Sequence, residues 1–273
     1  MSKKAKTDLG LFIFITLTSG WIGVFVDHIL TGQPKGQSLG MGIWLVSPFF
    51  CAIFFRIREK EWKSAGLGLY IRKGWKGYLI AVFIYPAITA VTLFPAMYFG
   101  CADAAANSWI TFRTLVLASF AGSFLKNIFE EFAWRGYLTP KLLESGLNDW
   151  LVYGISGMTW GLWHSAYYLV FLGNEYFTDT SRLQMLLSGC FIMILWSILF
   201  TEVYRMTKSV WPCVIMHTME AAFPAVIGAT VQFNTIGQVI FHPETGLVAI
   251  ILILSAGLYL RSIRIRRCSG GTV

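Results

Sequence analysis

Residues 114–138 read TLVLASFAGSFLKNIFEEFAWRGYL. From Thr114 to Phe129 the only charge is Lys126. Two carboxylates, Glu130 and Glu131, and one guanidinium, Arg135, then follow within about one and a half turns. The run reads as a bilayer span that ends in a charged cluster. Ionisable side chains in a span cost roughly 2.5–3.5 kcal/mol each on insertion scales, so such a cluster points to function. The plainer reading is an interfacial salt bridge that closes a helix. Helical spacing sorts the cluster. Glu131 and Arg135 are four apart, share a face and can pair. Glu130 lies about 100° round the helix and is the carboxylate assigned to chemistry. Lys126, four residues before Glu130, is in reach to pair with it.

The rest of the chain agrees with a membrane setting. Of 273 residues, 56% are hydrophobic and 13% charged, with a mean hydropathy of +0.61. Soluble domains carry about 25% charged residues. The composition predicts an all-α, polytopic membrane protein. Residues 1–273 read as a single integral membrane domain, because no polar linker or repeat divides them. The net charge of +8 is ascribed to cytoplasmic loops; nucleic acid is not expected as a partner. Five cysteines without CxxC spacing read as small core residues.

Eight spans are predicted, at about 9–30, 41–55, 77–99, 114–129, 151–172, 183–203, 211–230 and 247–260. The first follows Lys3, Lys4 and Lys6 and is too long for a signal-peptide core. Asp27 and His28, at its far end, are expected to reach interfacial water. Residues 56–76 carry seven basic side chains interleaved with Trp62, Tyr70 and Trp75, and read as an interfacial, partly helical cytoplasmic loop. A short helix is expected at 140–145. Gly157, Gly161 and Ser165 form a small-residue stripe for close helix packing. With the N-terminus inside and spans alternating, eighteen Lys and Arg fall inside. Three fall outside: Lys35, Arg113 and Arg182. That asymmetry obeys the positive-inside rule and puts both termini in the cytoplasm. The expected location is a prokaryotic cell membrane.

Two more spans carry imidazoles. His164 follows Trp160 and Trp163; His217 has Glu220 one turn on. Such groups face each other or a water-filled cavity. Two chemistries fit. A carboxylate and an imidazole can activate water, with a second imidazole on the oxyanion. Alternatively, histidines and a carboxylate can hold Zn²⁺, but no HExxH helix supports that, so no cofactor is expected. Gly154-Ile155-Ser156-Gly157 has the GxSG form of rhomboid serine proteases, which makes Ser156 with His217 a minor alternative.

Three motifs together resemble the CPBP intramembrane protease family, which includes the CAAX prenyl proteases and the Abi proteins. Glu130-Glu131-Phe132-Ala133-Trp134-Arg135-Gly136-Tyr137-Leu138 resembles its EExxxR motif. Trp160-Gly161-Leu162-Trp163-His164 is similar to FxxxH, with Trp for Phe. Residues 209–217, ending in His217, resemble the third motif. The family-like core spans 114–223. The resemblance implies a metal-independent glutamate protease acting on a membrane-associated protein, prenylated or of signal type. Glu130 would activate water with His164, His217 would bind the oxyanion, and Glu131 and Arg135 would brace the site. Trp134, Trp160 and Glu220 are expected to line it. One departure stands out: the third motif is often HxxxN, and this chain has Ala221 where the amide would be. Losing an oxyanion donor costs about 10²–10³ in rate. The competing reading is therefore a non-proteolytic scaffold or immunity-type protein of the same fold. A transporter would show duplicated halves with broken helices, which the sequence does not.

Overall fold

The computed structural model describes residues 2–34, 36–103, 109–177 and 180–269; Lys35, one of the three cations expected outside, is not among them. The protein is an all-α polytopic membrane protein. Its helices are α1 (Lys3–Ile29), α2 (Leu39–Glu59), α3 (Ile71–Tyr98), α4 (Trp109–Ala133), α5 (Thr139–Glu144), α6 (Asp149–Trp163), α7 (Arg182–Thr207), α8 (Trp211–Ala222), α9 (Pro224–Thr230), α10 (Thr235–Ile240) and α11 (Leu247–Ser269). Strands 102–103 and 232–233 form one short antiparallel pair.

Among the described residues, six helices are long and apolar enough to cross a membrane: α1, α2, α3, α7, α11 and the run 211–230. The expected fourth and fifth spans correspond to α4 and α6. α4 has the length, but Arg113, Lys126 and several hydroxyl residues dilute its apolar run. α6 has 15 residues, about 22 Å of helix, against a hydrocarbon core of about 30 Å. The basic loop is shorter than expected. α3 begins at Ile71, so Arg72, Lys73 and Lys76 stand on its first turns. Residues 211–230 divide at Pro224, because proline has no amide to continue the helical hydrogen bonding, and Phe223 before it stays on the helical side but distorted, at φ −111° and ψ −72°.

The chain divides into two compact units, Met1–Gly66 with Phe129–Ser197, and Leu67–Ile128 with Ile198–Val273. In the first, α1 and α2 form a hairpin that closes at Gly23 and Gly40, where a Cβ on either would meet the other's carbonyl. Asp27 does not simply reach water: its Oδ1 accepts from the Gly40 amide at 2.8 Å and from Gln33 Nε2 at 3.2 Å, fixing the start of α2. The glycine stripe of α6 packs on α7 as expected. Gly157 meets the Met193 and Ile194 backbone, and Gly161 meets Cys190. Ser165 instead accepts from Trp21 Nε1 at 3.1 Å, on α1.

In the second unit, α3 packs on α8, α9 and α11. The α10–α11 connection holds a buried histidine that sequence reading did not single out. His242 Nδ1 faces the amides of Glu244 and Thr245 at 3.4 and 3.3 Å, and Nε2 donates to the Gly228 carbonyl. Burial holds this imidazole neutral and pushes its pKa down to about 4. The unfolded chain therefore takes up the proton first as pH falls. Stability is full above the ordinary histidine value of 6.5 and drains away down to about 4, by roughly 3 kcal/mol. Burial pushes the neighbouring Glu244 carboxyl up, which has the opposite sign. Melting temperatures across this acid range should therefore vary less in His242→Gln than in wild type. An unchanged acid slope would show that His242 does not set it.

Candidate functional site

The first motif sits where α4 gives way to a π-helix, Trp134–Leu138, which leads directly into α5. The short helix expected at 140–145 is found as α5, and the chain from Arg135 into it is helical as well. In the π-turn the Thr139 amide reaches back five residues to the Trp134 carbonyl. Such bulges recur at functional sites because they re-aim side chains. Here the turn is locked from α2. Arg56, 2% exposed, donates from Nε and Nη2 to the Gly136 carbonyl at 3.1 and 2.6 Å. Arg56 also pairs with Glu61 and donates to Ser64 Oγ at 3.0 Å. Burial alone would raise the Glu61 carboxyl, but Ser64, Arg56 and Lys141 hold it below its ordinary value. Tyr137 donates to Glu59 at 3.1 Å, and Lys141 pairs with Glu59 at 2.6 Å.

Within this frame the cluster behaves as helical spacing predicts. Arg135 Nη1 donates to both oxygens of Glu131 at 3.0 Å, and both residues are fully buried. Glu130 points elsewhere. Its Oε2 accepts from Trp160 Nε1 at 3.0 Å and Trp134 Nε1 at 3.5 Å. The Arg135 guanidinium lies 4.6 Å from the centre of the Trp160 ring, a cation–π contact.

Trp160 has a second role. Its carbonyl accepts from His164 Nδ1 at 2.9 Å. A carbonyl only accepts, so Nδ1 carries a proton, and in the neutral ring the lone pair is then on Nε2. His164 ends α6 at a turn before the π-helix Tyr167–Phe171. Its ring stacks on Tyr168 at 5.5 Å and meets Trp163 edge-on at 4.6 Å. Trp163 in turn stacks on Trp44 at 4.4 Å, and each indole donates to the other's backbone carbonyl. The imidazole is thus held by a rigid aromatic wall. The first unit brings together Glu130, Glu131, Trp134, Arg135, Trp160 and His164. Ser156, the rhomboid-like alternative, is buried with its hydroxyl 3.5 Å from Thr139 Oγ1.

His217 and Glu220 belong to the second unit, buried on α8. The Phe200 ring meets His217 at right angles, 6.0 Å away. Glu220 hydrogen-bonds with Glu244 of the α10–α11 connection. The position where the motif usually has an amide, Ala221, offers its carbonyl to Ser119 Oγ at 2.8 Å. An amide does stand beside the third motif, from a source sequence reading missed. Asn127, fully buried on α4, donates to Thr218 Oγ1 at 3.4 Å. Thr218 Oγ1 gives its own proton to the Val214 carbonyl at 2.7 Å, which fixes it as the acceptor. The sequence does carry a signal for it: Asn127 is an amide in an apolar helix, three residues before Glu130. Among the described residues, no three His, Cys, Asp or Glu side chains are placed to hold a metal ion.

Residues 111–223 match the family model of the type II CAAX prenyl endopeptidases, Rce1-like. The match takes in Glu130, Glu131, Trp134, Arg135, Trp160, His164, His217 and Glu220, and agrees with the resemblance carried by the three motifs. No curated protein matches the chain.

Proposed function

From the Rce1-like match over residues 111–223, we propose that this multi-pass membrane protein is a glutamate endopeptidase acting on a membrane-associated protein, in prenylated form first of all. Glu130 takes a proton from water as its oxygen attacks the scissile carbonyl. His164 Nε2 accepts a hydrogen bond from the same water and orients it. Collapse of the tetrahedral intermediate passes the proton to the leaving amine and frees two peptides. The observation that carries this reading is the double role of Trp160. One residue fixes the carboxylate through its indole and the imidazole tautomer through its carbonyl. His217 enters as oxyanion donor through the family resemblance alone; within its own unit, Asn127 is the amide beside the third motif, donating to Thr218. Glu131 and Arg135 brace the helix end. A cell membrane of a prokaryote is the proposed location.

The test is cleavage of a prenylated carboxy-terminal peptide by the purified protein in proteoliposomes. Product should form at the same rate with and without phenanthroline, because no metal takes part in the proposed steps. Loss of activity on chelation, restored by Zn²⁺, would replace the water-activating carboxylate with a metal site. Failure to cleave any membrane peptide would favour the non-proteolytic scaffold.

A further inference from the structure

A concavity built from three helix ends lies in the unit that carries His217. α3 contributes Lys76 and Ile80, α7 contributes Glu202, Arg205 and Met206, and α11 contributes Tyr259, Arg264 and Arg267. Its volume is about 470 Å³. The helix ends meet closely because Gly77 of α3 leaves room for Thr207 and Met206 of α7.

Basic residues at helix ends are common in membrane proteins, and alone they mean little. Two features set this group apart. The first is a buried carboxylate that arranges the cations. Glu202, 2% exposed, accepts from Arg264 Nε at 2.7 Å and Nη2 at 3.1 Å, and pairs with Arg205 at 3.5 Å. Among the described residues, one carboxylate against four cations leaves an excess of three positive charges, with two guanidinium groups held in place. The second is the apolar wall. Tyr259, Ile80 and Met206 stand beside the cations, so charge and hydrocarbon surface share one groove. A free phosphate needs only the charge, and a soluble acidic peptide needs no apolar floor at bilayer depth. A phospholipid with an anionic headgroup needs both, at the membrane surface.

We propose that this groove binds the headgroup and upper acyl chain of an anionic phospholipid, on the side of the membrane where the positive-inside rule places these cations. Lys76 and Arg267, both exposed, meet the phosphate. Arg205 and Arg264, fixed by Glu202, form the floor.

The test uses the intact protein reconstituted in equal parts phosphatidylglycerol and phosphatidylcholine, with retained lipid counted by native mass spectrometry. Wild type should retain phosphatidylglycerol in preference. Lys76→Gln with Arg267→Gln should lower that preference by about tenfold or more, since a basic residue at the surface is worth about 1 kcal/mol. Both side chains are exposed, so helix packing should not change. Arg72→Gln, on the same end of α3 but outside the groove, is the control and should leave the preference intact. Equal retention of both lipids by wild type would overturn the proposal. So would an equal loss in Arg72→Gln, which would reveal only diffuse surface charge. Displacement of the lipid by added inorganic phosphate would reassign the groove to a soluble anion.

Discussion

Glu130→Gln is expected to lower peptide cleavage by roughly 10²–10⁴-fold, the usual worth of a positioned general base. The change is nearly isosteric. The glutamine carbonyl can still accept from Trp160 Nε1, which stands 3.0 Å from Glu130 Oε2, so the helix end and the aromatic wall should persist. What disappears is the ability to take a proton from water. The loss should therefore fall on kcat with KM nearly constant, because substrate binding does not need that proton acceptor. Helical content and yield should match wild type. A milder companion is Trp160→Phe. It removes the indole donor but keeps the carbonyl that holds His164 Nδ1, so Glu130 loses its orientation and His164 does not. Its rate should fall between wild type and Glu130→Gln. Cleavage by Glu130→Gln within a few-fold of wild type would remove Glu130 from the chemistry, whatever its place in the fold.

The cluster is legible in sequence where its logic is local. Four-residue spacing predicts the Glu131–Arg135 pair, and the 100° offset sends Glu130 to different partners; both are found. The membrane class is legible from composition alone, because few soluble chains reach 56% hydrophobic residues with 13% charged. What escapes is non-local or irregular. Nothing in 134–138 announces a π-turn, because its energy depends on Arg56, about 80 residues earlier, reaching the Gly136 carbonyl. The anchoring of Glu130 by Trp160 likewise joins residues thirty apart. Asn127 carries no charge and so does not stand out in an apolar helix, although a buried amide has a similar obligation to find partners. The basic segment reads as partly helical, but the start of the helix at Ile71 is not legible, because interfacial helices and loops share the same composition.

Arg135→Leu is expected to destabilise the protein by about 3–5 kcal/mol, the cost of breaking a buried ion pair from one side. Glu131 and Arg135 are both fully buried, so the carboxylate deprived of this two-oxygen contact gains no water in exchange. The same substitution also removes the guanidinium from the Trp160 face, 4.6 Å away, and so loosens the residue that holds Glu130. The double variant Glu131→Leu with Arg135→Leu should recover most of the lost stability. Replacing both partners with apolar groups leaves no uncompensated charge and is often neutral in sum. Activity should separate from stability at this point. If the pair braces the site, the double variant folds and inserts yet cleaves slowly, because Trp160 has lost its cation. If the pair served only to close the helix, the double variant would be as active as wild type. Thermal midpoints for the four members of this cycle, read beside kcat, distinguish the two roles. A single Arg135→Leu variant as stable as the double would show that Glu131 finds other compensation, and the bracing role would have to move to the lock that Arg56 makes on Gly136.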